Sequence, residues 1–219
     1  MLNKWIYRLE YKYGRRAGIQ GLMLYIVIGM AAVFIGRLII PGVDIFSYLS
    51  LSRAMLFRGQ VWRVVTFLLE PPDTSIIWII FSLYFYYFVG TALEQAWGTF
   101  KFNVYYFIGA FAMVIAALIS GYGHNAYLNL SLFFAFATLF PDHQVMLFFF
   151  IPVKVKWLAL LDAALFVVMF IFGDWSVRTA ILLSLLNYFI FLGEDLFKSI
   201  RQLVMRIRNK IRYRGSGLR

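Results

Sequence analysis

The chain contains no cysteine, only two histidines and five prolines, and charged residues make up 14% of its 219 positions. Without cysteine there is no disulfide and no thiolate metal site, although compartment stays open on that ground. Two histidines, His124 and His143, leave few candidates for any imidazole-dependent chemistry. Only ten acidic residues oppose 21 basic ones. What fills the chain instead is apolar: 63% hydrophobic and 20% aromatic, far outside the range of a soluble domain.

The apolar residues fall into six runs, Ile19–Ile40, Ser75–Leu93, Phe102–Ser120, Tyr127–Phe140, Trp157–Phe172 and Ser176–Gly193. A span needs roughly 20 apolar residues. Backbone in hydrocarbon must satisfy its own hydrogen bonds, so the runs predict helices. The fourth is short and is expected to tilt or to continue from an irregular loop. The expectation is an all-α membrane protein with six spans over residues 19–193, an N-terminal segment 1–18 and a tail 194–219.

Charge predicts orientation. Placing the N-terminus in the cytoplasm puts sixteen of the 21 basic residues inside. Only Arg37, Arg53, Arg58, Arg63 and Arg178 are left outside, which fits an even number of spans with both ends cytoplasmic. The first apolar run is too long for a cleavable signal peptide, and no small-residue cleavage site stands out.

Both ends pattern as amphipathic helices. Leu2, Trp5, Ile6, Leu9 and Tyr13 oppose Lys4, Arg8 and Lys12, and the tail repeats this with Phe197, Ile200, Val204 and Ile211 against its basic face. Anionic lipids are the expected partners, at about 1 kcal/mol per basic residue. Docking to RNA or an acidic protein is the alternative. Nucleic acid is not expected, since no stacking platform or recognised module accompanies the charge.

Residues 41–74 form a loop too long for a passive turn. It mixes Leu49, Met55, Phe57, Trp62 and Phe67 with three arginines, a composition suited to the membrane interface. Pro71-Pro72 ends it before Thr74 or Ser75 can cap the next helix.

Within this block Gly59-Gln60-Val61-Trp62-Arg63 resembles the loop motif of the rhomboid superfamily, which includes rhomboid proteases and derlins. Gly90, Leu93, Glu94 and Gly98 resemble that superfamily's GxxLExxxG at the end of span two. Leu139-Phe140-Pro141 and Ile151-Pro152-Val153-Lys154 look like the junction between spans four and five in bacterial members. The resemblance covers residues 20–193 and implies a bacterial plasma-membrane protein. Independently of it, Trp78, Ser82, Tyr86, Gly90 and Glu94 recur every fourth residue and share one helix face. Glu94 is expected to accept backbone N–H groups of an adjacent loop. Gly90 and Gly98 are expected to admit a close neighbour. Trp62-Arg63 reads as an interfacial clamp.

The resemblance implies a serine in span four, a histidine in span six, and a histidine and asparagine on span two. At these positions the chain carries Ala126, Asn187 or a neighbour, Trp78 and Ser82. Ser131, within Asn129-Leu130-Ser131-Leu132, is the remaining candidate nucleophile, and His124 the remaining candidate base. They lie seven positions apart, about 10 Å along a helix, whereas a nucleophile and its base must be within hydrogen-bond reach. His143 is expected in a solvated turn at the far end of span four.

Polar residues inside the runs are few. Asp162 and Asn187 fall at similar depth, and a lone charge there costs several kcal/mol. Asp162 is therefore expected to be protonated or paired, with Asn187, Ser184 or Asn129 as donor. Ser82, Asn129, Asp162, Ser184 and Asn187 form either a polar lock between helices or a surface for a client. No cofactor or metal is expected. The resemblance implies a non-catalytic, pseudoprotease-like member that binds transmembrane segments of client proteins. Alternatives are an active intramembrane serine protease using Ser131, or a small transporter or lipid-handling protein using Asp162.

Overall fold

The computed structural model describes residues 18–40, 42, 44–72, 75–147, 151–193 and 205. The two amphipathic ends, apart from residues 18 and 205, lie outside the described residues, as do Pro41 and Thr74.

Helix α1 spans Leu22–Ile39 and buries Leu22, Met23, Ile26, Met30 and Phe34, a stripe at nearly four-residue steps. Short helices α2 (Ile45–Leu49), α3 (Arg53–Phe57) and α4 (Arg63–Thr66) follow, with strand β1 (Leu51–Ser52) between the first two. Helices α5 (Ile76–Trp97) and α6 (Thr99–Ser120) come next, then strand β2 (Tyr122–Gly123) and helix α7 (Asn125–Leu139). Strands β3 (Gln144–Leu147) and β4 (Ile151–Lys154) lead into α8 (Val155–Phe172), and α9 covers Trp175–Gly193.

Among the described residues five helices, α1, α5, α6, α8 and α9, are long and apolar enough to cross a membrane. Helix α7 has 15 residues and falls short of that length. An all-helical membrane architecture therefore holds, with two small ribbons added. One pairs β1 with β2 and ties the loop after α1 to the segment before α7. The other pairs β3 with β4 where the sequence had predicted only a turn.

The enclosed helices are α6 and α7. Phe102, Tyr105, Tyr106 and Met113 on α6 are fully buried, and α7 buries Leu128, Leu132, Ala135 and Phe136. Around them α5 and α8 are the least enclosed of the long helices. Met23 of α1 seats on Gly90 of α5, where a Cβ would come within 2.6 Å of the Met23 Cβ. Gly90 thus permits the close approach expected of it. Gly98 does something else: its φ of 82° makes the turn shared by α5 and α6, a conformation costly for a side chain.

Candidate functional site

At one end of the bundle three polar side chains fasten the start of α1. The Gly21 amide donates to both Glu94 carboxylate oxygens at 3.1 Å. Thr99 Oγ1 donates to Glu94 Oε1 at 2.8 Å. Asn103 brackets Ile19, receiving its amide at 3.3 Å and donating to its carbonyl at 3.0 Å. Asn103 was not singled out in the sequence, where an asparagine in an apolar run four residues after Thr99 was the available signal.

At the other end Arg63 is buried and gathers the loop. Its Nη1 donates to the carbonyls of Ser47 and Ser50, both at 2.6 Å, and its Nε to Gln60 Oε1 at 2.7 Å. Trp62 beside it is half-exposed. Arg63 is the clamp and Trp62 its surface-facing neighbour. Asn125, first residue of α7, donates to the carbonyls of Leu68 at 3.3 Å and Glu70 at 2.8 Å, joining loop to helix. Burial pushes the Glu70 carboxyl up to about 7, and its Oε2 has no hydrogen-bond partner among the described residues. Burial also lowers the His124 imidazole at the N-cap of α7.

Deeper in the bundle Ser131 is buried and faces Tyr105. The Tyr105 hydroxyl donates to the Ser131 carbonyl at 3.0 Å and is in direct contact with the Ser131 hydroxyl. Neither histidine reaches this pair. His124 sits seven positions earlier, about 10 Å along the helix axis. His143 lies past the opposite end of α7, packed at a tilt against Phe88 and edge-on to Phe136, with ring centroids 5.4 and 5.9 Å away. It is exposed at the surface but packed on one side, rather than simply solvated.

The remaining candidates do not converge. Ser184 Oγ donates to the Tyr127 carbonyl at 2.7 Å, and Asn187 Nδ2 to the Tyr105 carbonyl at 3.3 Å. Asn129 is buried opposite the Tyr86 hydroxyl, yet neither of its amide atoms forms a well-directed hydrogen bond. The Tyr106 hydroxyl and Asn187 Oδ1 are also buried without partners among the described residues. Asp162, half-buried on α8, has no hydrogen bond or ion pair among the described residues. The anticipated lock from Ser184, Asn187 or Asn129 to Asp162 is not formed, because the first two are spent on backbone carbonyls. Ser82 is partly buried on α5, Trp78 half-exposed, and Ala126 exposed at the start of α7.

Residues 21–192 match the family described as eukaryotic integral membrane protein (DUF1751). The chain belongs to that family. The match spans α1 through nearly all of α9, so the DUF1751 region and the helical bundle are one unit. No curated protein matches the chain. Membership in DUF1751 establishes a multi-pass integral membrane protein, in agreement with the five long apolar helices. The family's eukaryotic description runs against the bacterial placement inferred from the sequence.

Proposed function

We propose that this protein is a non-catalytic, rhomboid-like member of its membrane family that binds transmembrane segments of client proteins. In this reading α7 counts as a sixth, short span and both termini face the cytoplasm. The observation that carries it is the state of Ser131: enclosed, engaged by Tyr105, and out of reach of either imidazole. Nucleophilic hydrolysis needs a base beside the hydroxyl, so the bundle keeps a scaffold without that pairing. The sparse enclosure of α5 and α8 supports client binding, since both leave apolar faces open to a neighbour. A short α7 beside full-length helices favours a locally thinned bilayer, which eases entry of a polar-flanked client helix.

Photocrosslinking in the membrane tests this reading, with photoreactive residues at the exposed positions Ile80 and Tyr84 of α5 and Leu161 and Leu165 of α8. The reading expects discrete protein adducts mapped to apolar segments of the captured partners. Adducts to lipid alone count against it.

One observation favours a second reading. Asp162, which has no partner among the described residues, suits a proton-linked transporter or lipid-handling protein, since ionisable groups in spans mark such pathways. Flux or lipid transfer in vesicles that disappears with Asp162→Asn supports that reading over client binding.

A further inference from the structure

A trough of about 690 Å³ runs between α8 and α9 with α7 as its floor. Ala159 and Ala163, one turn apart on α8, leave it open, and Phe134 lies beneath. Its lining is apolar except at one end, where Lys156, Thr138 and Tyr188 stand. The two hydroxyls there are mutually bonded at 2.6 Å, with Thr138 donating onward to the Phe134 carbonyl at 2.9 Å. They ask nothing further of an occupant. Lys156 is different. Lys154 and Lys156 both lean on the single carboxylate of Asp142, at 3.6 and 2.7 Å, and both ammonium groups remain partly exposed. Among the described residues one positive charge at the mouth is left over.

Length and charge decide what fits. From Lys156 to Phe170 the trough follows fourteen positions of α8, about 20 Å of helix. The hydrocarbon core of a bilayer is about 30 Å thick, so one leaflet offers about 15 Å of apolar depth. The trough therefore matches one acyl chain running inward from a headgroup at the Lys156 end. The geometry points to a lipid site: one acyl chain of an anionic membrane lipid lies in the trough, and its phosphate headgroup meets Lys156 at the mouth. Basic pockets between membrane helices are suited to such headgroups, and the long lysine stem lets its ammonium reach interface depth while its methylenes cover apolar surface. The site goes beyond client binding: it shares helix α8 with that reading but involves neither Ser131 nor α5.

The test is photolabelling of the full-length chain in phosphatidylcholine nanodiscs. These are doped with phosphatidylglycerol carrying a diazirine on its acyl chain, or with a phosphatidylcholine probe of the same chain. Adducts are mapped by mass spectrometry and normalised to the lipid-exposed Tyr25 and Ile28 face of α1. The phosphatidylglycerol probe is expected to concentrate on α8 and α9 around Ala163 and Tyr188. Lys156→Gln is expected to lower that labelling about fivefold while leaving phosphatidylcholine labelling unchanged. Ala163→Trp, which fills the trough, is expected to abolish the excess over the α1 face. Because Ala163→Trp risks misfolding, Lys156→Gln carries the decision independently. Labelling of the trough no stronger than that of α1 overturns the proposal, as does equal labelling by the two probes. So does capture of a polypeptide, in place of lipid, from a photoreactive residue at position 163.

Discussion

The hydroxyls of Ser131 and Tyr105 face one another inside the bundle, in direct contact and both closed off from the surface. Tyr105 donates to the Ser131 carbonyl at 3.0 Å, so its oxygen remains available to accept the serine proton. In the proposed non-catalytic reading, a serine whose proton is already placed, with no imidazole beside it, serves packing. Tyr105→Phe is expected to destabilise the fold by about 1–2 kcal/mol, through two polar groups of Ser131 left without their partner. Thermal unfolding in detergent checks this. An unchanged or raised midpoint shows that the contact contributes nothing.

Glu94 holds the entry to α1 through paired bonds from Gly21 and a third from Thr99. Hydrogen bonds to an ionised carboxylate are the stronger kind. Glu94→Ala is expected to lower stability by about 2–3 kcal/mol and Glu94→Gln by less, since the amide oxygen still accepts one bond. Hydrogen exchange at residues 19–24 reports the same event locally. Unchanged protection there with Glu94→Ala contradicts the role given to the carboxylate.

Glu70 provides the pH dependence. Its carboxyl titrates near 7 in the folded protein, above its ordinary value of 4.5, because burial disfavours the charged form. The folded state therefore binds the proton more tightly than the unfolded state, and the group's contribution is complete below about pH 4.5. It is lost as pH rises through 7. After discounting for partial exposure the loss is roughly 2 kcal/mol. Midpoints measured from pH 5 to 8 are expected to fall, and Glu70→Gln to flatten that slope. An equal slope in the variant assigns the effect elsewhere.

Among the described residues Asp162 has no hydrogen-bond or ion-pair partner on α8, and an isolated carboxylate at membrane depth is costly. Asp162→Asn is expected to leave stability unchanged or raise it by about 1 kcal/mol. A clear loss of stability reveals a partner that the carboxylate needs.

The five long helices were legible in the sequence because hydrocarbon leaves an apolar run of that length almost no alternative to a helix, whereas the expected fourth span is a helix of only 15 residues. The structural glutamate was legible too, since Glu94 closes a four-residue stripe running from Trp78 through Gly90. Asn103 was not, because a single polar residue in an apolar run carries no mark of which backbone it will serve. The partner of Ser131 was equally hidden: a tyrosine among many aromatic residues gives no sign that its hydroxyl reaches another helix. The β3–β4 ribbon escaped because Gln144–Leu147 and Ile151–Lys154 are four-residue strands, and Pro152 within the second argues against a strand by composition. Asp162 was expected to be protonated or paired, with Asn187, Ser184 or Asn129 as donor, and depth alone does not determine which way Ser184 and Asn187 turn.

Reactivity of Ser131 bears most directly on the whole account. Purified protein in lipid bicelles is treated with a serine-reactive fluorophosphonate, alongside Ser131→Ala and His124→Ala. The account predicts no specific adduct on any serine of the unaltered chain. An adduct on Ser131 that disappears in both variants contradicts it.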